Sequence, residues 1–142
     1  MFNQLSYIHP GAKIGKNCTI EPFVYIDDNV VIGDNCHIMA HASVLSGTRM
    51  GNGNRVFHGA VVGGIPQDLK FVGEKTTAEI GDYNDIRECV TISRGTASKG
   101  KTVVGSHNLL FEKYLPSEVE KDLRDCLFQD NKPKEYSVLC RF

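Results

Sequence analysis

Aliphatic or methionine side chains recur at every sixth position along the first half of the chain. The ten positions are Ile8, Ile14, Ile20, Ile26, Ile32, Ile38, Val44, Met50, Val56 and Val62. A helix buries residues three or four apart and a half-buried strand buries every second residue, so an unbroken interval of six matches neither element. The interval predicts short strands stacked into a solenoid.

Smaller side chains form a second series, two residues before each of these aliphatics. Its members are Ser6, Ala12, Cys18, Val24, Val30, Cys36, Ala42, Thr48, Asn54 and Ala60. Because residues i and i−2 of a strand point to the same face, each six-residue unit sends one large and one small side chain inward. Glycine follows the aliphatic at Gly15, Gly33 and Gly51, at intervals of 18 residues. One corner in each coil is therefore expected to need a positive φ or a close backbone approach.

Three strands and three corners make one 18-residue coil of a triangular prism. We predict an all-β parallel β-helix of about five coils over residues 7–110, with Ile14, Ile32 and Met50 stacked along one inner edge. This form resembles the left-handed parallel β-helix of hexapeptide-repeat acyltransferases. The left hand is taken from that resemblance, because crossovers between parallel strands are otherwise nearly always right-handed.

The composition of the chain predicts one soluble domain. Its 142 residues are 41% hydrophobic, enough for one buried core. The net charge of −1 predicts no nucleic-acid partner and no attraction to acidic lipid. No apolar run approaches the roughly 18 residues that a membrane span requires, and residues 1–10 lack a basic start followed by an apolar stretch. We therefore expect a cytoplasmic protein without a membrane span.

The five cysteines are an odd number without metal-ligand spacing. We predict no metal site and no cofactor. Cys18 and Cys36 both occupy the small inward position, one coil apart, and are expected to be reduced residues of the core.

The first break in the period carries side chains suited to a sugar nucleotide. One coil takes 18 residues, but the corner glycines on either side of this break are 30 apart, so a loop is inserted at about residues 63–78. Loops that project from a rigid solenoid commonly carry its function. In this loop Asp68 can accept hydrogen bonds from sugar hydroxyls, Lys70 can face a phosphate and Gln67 can do either.

A second break, at residues 93–101, is basic and contains glycine. Arg94 and Lys99 are candidates for contact with a phosphate, although charged loop residues are more often simply solvated. The period returns at Val104 and Leu110.

The inserts and their flanking segments are similar to one family, the UDP-N-acetylglucosamine O-acyltransferase that begins lipid A biosynthesis. The similar segments are residues 8–10, 20–23, 65–71, 73–74, 79–82 and 86–96. The most specific of them is the heptapeptide Ile-Pro-Gln-Asp-Leu-Lys-Phe at residues 65–71. The resemblance ends near residue 110, so we expect the chain to correspond to the N-terminal portion of the family enzyme.

This resemblance implies transfer of a 3-hydroxyacyl chain from acyl carrier protein to the 3-hydroxyl of UDP-N-acetylglucosamine. It also implies that Gln67, Asp68 and Lys70 bind the substrate, and that the protein is a homotrimer with its sites between neighbouring subunits. Arg94 and Lys99 are candidates for contact with a phosphate or with the acyl carrier protein. The acyl chain length is not determined, because the family residues that measure it follow the matching segment.

The chain departs from the family pattern where the family carries its catalytic base. The family's general-base histidine follows shortly after an Asn-Leu-Leu sequence, here residues 108–110, but residues 111–118 contain no histidine. A base is needed because an alcohol is a poor nucleophile at neutral pH. We therefore assign no catalytic residue and expect little turnover. The histidines present are expected to point outward from the solenoid: His9, His37, His41, His58 and His107.

Residues 111–142 do not follow the six-residue period. Ser117 and Glu120 have capping-box spacing, and apolar side chains follow at helical intervals, which predicts a short helix over about residues 117–128. Such a helix would cover the open end of the solenoid. Alternatively, this tail is an extension left by a truncation or frameshift.

Three interpretations remain open from the sequence. The first is an O-acyltransferase of this family whose present chain is a fragment. The second is a hexapeptide acyltransferase with another acceptor, which the sequence of residues 67–70 argues against. The third is a catalytically inactive solenoid that retains sugar-nucleotide or partner binding, or serves as an assembly surface. Turnover separates the first interpretation from the third, and acceptor choice separates the first two.

Overall fold

The structure, a computed structural model, describes residues 4–112 and 137–141, and it is built from three parallel sheets. The first sheet contains β1 Tyr7–Ile8, β4 Tyr25–Ile26, β7 Ser43–Val44, β10 Val61–Gly64 and β13 Thr91–Ser93. The second contains β2 Lys13–Ile14, β5 Val31–Ile32, β8 Thr48–Met50, β11 Thr77–Ile80 and β14 Lys101–Val104. The third contains β3 Thr19–Ile20, β6 His37–Ile38, β9 Arg55–Val56, β12 Asp85–Ile86, β15 Asn108–Glu112 and β16 Ser137–Arg141.

The chain passes through the three sheets in rotation, so each strand pairs with the strand one coil above it. In the second sheet, Ile14 is paired with Ile32, and Ile32 with Met50, as predicted. The same inner edge then continues through Ile80 and Val104. The predicted all-β, left-handed parallel β-helix is confirmed.

Both inward series of side chains form one continuous core. Ile26, Ile38 and Val44 are completely buried, and the smaller Val30 and Ala42 lie beside them. Burying one such large aliphatic stabilises the fold by about 1.5–3 kcal/mol, so the repeated series is the main source of the solenoid's stability.

The corner glycines are required by close backbone approach. A Cβ added to Gly33 would lie 2.6 Å from the carbonyl carbon of Gly51, one coil above. The positive φ angles at this corner fall two residues later, at Asn17, Asn35 and Gly53. Of the two expectations for these glycines, close approach is therefore the correct one.

The small inward position at this corner changes chemistry along the solenoid. In the first coils the Cys18 and Cys36 thiols donate to glycine carbonyls of the coil above, at 3.1 and 3.2 Å. Both cysteines are reduced and buried, and burial raises the pKa of Cys36 to about 11. In later coils the position is taken by the buried side chains of Asn54, Asn84 and Asn108.

The described residues beyond 110 add strand to the third sheet. β15 extends to Glu112, and β16 pairs with it in register from Asn108 opposite Ser137 to Glu112 opposite Arg141. Sequence reasoning predicted no strand in this tail. The predicted helix over residues 117–128 lies outside the described residues, and the division of the chain at residue 110 stays a prediction. Among the described residues we find no helix with the length and apolar character that a membrane span requires.

Candidate functional site

Two inserts leave the solenoid at the same corner, in consecutive coils. The first, residues 65–76, joins β10 to β11, and the second, residues 94–100, joins β13 to β14. β10 is paired with β13, and β11 is paired with β14, so the two loops begin and end side by side. Segments about 30 residues apart in the sequence are thereby brought together.

The roots of the two inserts are tied by backbone hydrogen bonds. The pairing of β10 with β13 shifts after Val62, so that Gly64 rather than Gly63 lies opposite Ser93. Gly63 forms the bulge with a φ of 83°. Beyond it, the Arg94 N–H donates to the Gly64 carbonyl at 2.8 Å. This link fixes where the second insert starts relative to the first.

A tight turn in the first insert displays two of the three predicted binding residues. Asp68 Oδ1 accepts a hydrogen bond from the Lys70 N–H at 2.9 Å, and the Asp68 carbonyl accepts from the Phe71 N–H at 2.9 Å. The Asp68 side chain therefore organises the turn that carries Lys70 as well as offering carboxylate oxygen to a ligand. Leu69 and Val72 of the same insert are exposed.

Two adjoining cavities lie between the inserts. The smaller, of about 310 Å³, is lined by Asp68, Lys70, Phe71, Glu74, Thr96 and Ser98 among others. The larger, of about 420 Å³, is lined among others by Gln67, Asp68, Thr91, Ser93, Arg94 and Thr96. Asp68 and Thr96 line both cavities, so the two spaces form one divided site. The three predicted binding residues are all brought to it, with Gln67 in the larger cavity and Lys70 in the smaller.

The lining chemistry suits a polar, anionic and hydroxyl-bearing small molecule. Carboxylates at Asp68 and Glu74 can accept hydrogen bonds from sugar hydroxyls, and threonine hydroxyls can donate or accept. Each cavity has one basic side chain, Lys70 in the smaller and Arg94 in the larger, and these can compensate negative charge. Over residues 4–112 and 137–141, no three His, Cys, Asp or Glu side chains are grouped so as to hold a metal ion.

Sequence reasoning identified part of this lining and missed the rest. Arg94 was a candidate and lines the larger cavity, whereas Lys99 is exposed. Phe71, Glu74 and Thr96 were not singled out, because nothing in their spacing distinguishes them from ordinary loop residues. The signal that existed was the period itself, since equal coil lengths place both breaks at one corner.

The histidines lie elsewhere on the solenoid. All five fall within the described residues, are half-buried or exposed, and line neither cavity. Glu21 bridges two of them, with its carboxylate 2.7 Å from His37 Nε2 and 3.7 Å from His58 Nε2. The Ala40 N–H also donates to this carboxylate at 2.9 Å, and this hydrogen bond is the main cause of the lowered pKa of Glu21.

The sheets and the paired inserts define a left-handed hexapeptide-repeat β-helix with two adjoining cavities at one corner. A family model described as the GMPPB C-terminal domain matches residues 2–116, and the chain belongs to that family. Several solved structures of UDP-N-acetylglucosamine acyltransferases are similar to it, which confirms the resemblance found in the inserts, for an N-terminal portion.

Three of these structures show the extent of the similarity. The UDP-N-acetylglucosamine acyltransferase LpxA from Bacteroides fragilis 9343 is 68% identical, with a TM-score of 0.76, over 77% of this chain and 43% of its own. LpxA from Acinetobacter baumannii is 40% identical, with a TM-score of 0.76, over 77% of this chain and 43% of its own. The UDP-N-acetylglucosamine acyltransferase from Campylobacter jejuni is 35% identical, with a TM-score of 0.72, over 79% of this chain and 44% of its own. The chain thus spans less than half the length of these relatives.

Proposed function

We propose that the divided site between the inserts binds UDP-N-acetylglucosamine, in the role of a UDP-N-acetylglucosamine 3-O-acyltransferase. The reaction would move a 3-hydroxyacyl group from acyl carrier protein to the sugar's 3-hydroxyl. The observation that carries the proposal is the position of Asp68, shared by two adjoining cavities with Lys70 in one and Arg94 in the other. The cavity volumes, about 310 and 420 Å³, lie in the range of small-molecule sites.

Each binding residue has a role in this proposal. Asp68 accepts hydrogen bonds from the sugar hydroxyls, Lys70 compensates an anionic group and Gln67 donates or accepts in the larger cavity. The solved relatives, which are named as acyltransferases acting with UDP-N-acetylglucosamine, support this ligand. From the same resemblance we propose a homotrimer, with sites shared between subunits, and acyl carrier protein as the acyl donor.

The proposal also separates binding from turnover. Residues 111–118 contain no histidine, and no histidine lines either cavity. General base catalysis typically supplies about a hundred- to ten-thousandfold in rate, so residues 1–142 alone should acylate slowly or not at all. An inactive solenoid that retains sugar-nucleotide binding is the alternative that this observation favours. An assay with UDP-N-acetylglucosamine and 3-hydroxyacyl carrier protein distinguishes the two: rates like those of full-length relatives would contradict the alternative.

Binding is tested by calorimetric titration of the chain with UDP-N-acetylglucosamine. Charge-assisted contacts contribute roughly 1.5–3 kcal/mol each, so Asp68→Asn and Lys70→Met should each weaken binding by about tenfold or more. Lys16→Met removes an exposed charge far from the inserts and serves as the matched control. Equal affinity of the wild type and the three variants would show that Asp68 and Lys70 do not bind the ligand.

A further inference from the structure

Arg94 contacts the solenoid and both inserts. Its backbone N–H donates to the carbonyl of Gly64 at 2.8 Å, at the root of the first insert. Its guanidinium carbon lies 5.6 Å from the centre of the Phe71 ring, in the middle of that insert. Its Cδ packs against the solenoid corner at Gly47, where an added Cβ would lie 2.8 Å from it. One side chain from the second insert thus spans the corner and the first insert.

Among the described residues, the Arg94 guanidinium has an aromatic ring nearby but no carboxylate partner. The side chain is half-buried, yet Arg94 takes part in none of the ion pairs between described residues. Its Nε is buried and has no hydrogen-bond acceptor among those residues. A partly desolvated cation is unfavourable unless something compensates it, and the electron-rich face of an aromatic ring can do so. The Phe71 ring, 5.6 Å away, is an aromatic partner that can supply this compensation.

We propose that Arg94 is a positioning residue that holds Phe71, and through it the turn that presents Asp68 and Lys70. Phe71 follows Lys70 directly, and its N–H is bonded to the Asp68 carbonyl at 2.9 Å, so a shift of the ring moves the whole turn. Arg94 lines the larger cavity, whereas Phe71 lines the smaller, and their contact keeps the two cavities in a fixed relation. The importance of this contact for ligand binding rests on the proposed function; its effect on the turn does not.

Amide hydrogen exchange on the full chain without ligand tests the effect on the turn. Arg94→Met keeps the stem that packs on Gly47 but removes the cation, and it should speed exchange in residues 67–71 by roughly tenfold. Exchange in the core strands should stay unchanged. Lys75→Met, which removes an exposed charge from the first insert, is the matched control. Unchanged exchange in residues 67–71, or faster exchange spread evenly over the solenoid, would overturn the proposal.

A double-mutant cycle shows whether the ring is the partner. The effects of Arg94→Met and Phe71→Leu on the amide exchange rates of residues 67–71 should be non-additive. The double variant should deviate from additivity by roughly three- to thirtyfold. Phe71→Tyr keeps an aromatic face, so residues 67–71 of this variant should exchange at the wild-type rate. Additive effects, or equal behaviour of the Leu and Tyr variants, would contradict the contact even if a single variant were poorly folded.

Titration with UDP-N-acetylglucosamine then connects the turn to the ligand. Arg94→Met should lose affinity by about tenfold, and the loss should shrink when Phe71 is already Leu. If the wild-type chain binds no ligand, the proposed function fails while the exchange result stands. If the wild type binds and the exchange of residues 67–71 does not respond to Arg94, the positioning role fails while the proposed function stands.

Discussion

The regular coils extend up to residue 62, and the interrupted coils comprise residues 63–112. The same series of inward aliphatic side chains, the inner ladder, runs through both, but the strands and corners differ. In the regular part most strands are two residues long and the corners are tight. In the interrupted part strands extend to four or five residues and two corners open into loops. The ladder through Met50 and Ile80 crosses the boundary in register. A corner therefore tolerates a long insertion, because the register is set by the inward side chains and not by the length of the connection.

From Asn54 onwards, buried asparagine side chains occupy the position that Cys18 and Cys36 take in the first coils. The Asn84 amide nitrogen donates to the Gly105 carbonyl at 2.9 Å, and its oxygen accepts from the backbone N–H of Asn108 at 2.9 Å. Asn54 makes the equivalent contacts one coil below, with its oxygen 2.9 Å from the Asn84 N–H. Each amide thus bonds the next coil directly, which a thiol does weakly. The coils that carry the inserts are held together by directional bonds as well as by burial.

The largest expected effect lies in the regular coils. Ile38→Ala removes a completely buried side chain from a tightly stacked core and should lower the free energy of unfolding by about 2–5 kcal/mol. Leu69→Ala, at an exposed position of the first insert, should change it by less than about 0.5 kcal/mol. Urea denaturation measures both. Similar losses in the free energy of unfolding for the two variants would show that the inward side chains are not the main source of stability.

The next effect tests the hydrogen-bonded series of buried asparagines, Asn54, Asn84 and Asn108. Asn84→Ala leaves the Asn108 N–H and the Gly105 carbonyl without their buried partner, and should cost about 2–4 kcal/mol in the free energy of unfolding. Cys36→Ala, at the equivalent position of a regular coil, removes only a small apolar group and a weak donor, and should cost about 1 kcal/mol. A larger loss at Cys36 than at Asn84, again by urea denaturation, would show that directional bonds are not what holds the upper coils together.

Close approach at the corner predicts an intermediate effect. Gly33→Ala would place a Cβ 2.6 Å from the Gly51 carbonyl carbon, so a neighbouring backbone must move, at a cost of about 1–3 kcal/mol in unfolding free energy. Gly64→Ala is the matched control, because the nearest atoms to its Cβ would be 3.9 Å away. Thermal unfolding of the two variants compares them. An unaffected Gly33 variant would mean that the corner glycines are not required by close approach.

The smallest effect is pH-dependent. Glu21→Gln removes a carboxylate whose pKa is lowered by the Ala40 N–H, and should cost up to about 1 kcal/mol in unfolding free energy at pH 7. Because the pKa in the folded state lies below that of the unfolded chain, this stabilisation is present above the unfolded-state pKa and is lost as the pH falls through the folded-state pKa. The difference in stability between the wild type and the variant should therefore shrink as the pH is lowered from 7 and vanish below the folded-state pKa.

The control for this pH effect lies in the interrupted coils. Glu79→Gln removes one partner of the exposed ion pair with Lys101, 3.2 Å apart, and should change stability little at any pH. Denaturant melts at pH 7 and pH 3 compare the two variants. A Glu21 variant whose deficit persists at pH 3 would show that the carboxylate's charge is not the stabilising feature.

Most of the fold follows from the period of the sequence, and part of the site follows from its interruption. Six-residue spacing predicts the inward residues, because stacked short strands must bury the same positions in every coil. The break in that spacing located the first insert, and residues 65–71 indicated its chemistry. Glu74 and Thr96 could not be found in this way, because they belong to irregular loops whose side-chain directions follow no period.

By itself, the sequence determined the solenoid, the inward aliphatic positions and the corner glycines. These are repeated, local consequences of burying one face of short strands. Only the tertiary structure decided that Arg94 meets Phe71, that Asp68 separates two cavities, and that β16 pairs with β15. These contacts join residues far apart in sequence, and they depend on loop and tail conformations that no interval along the chain specifies.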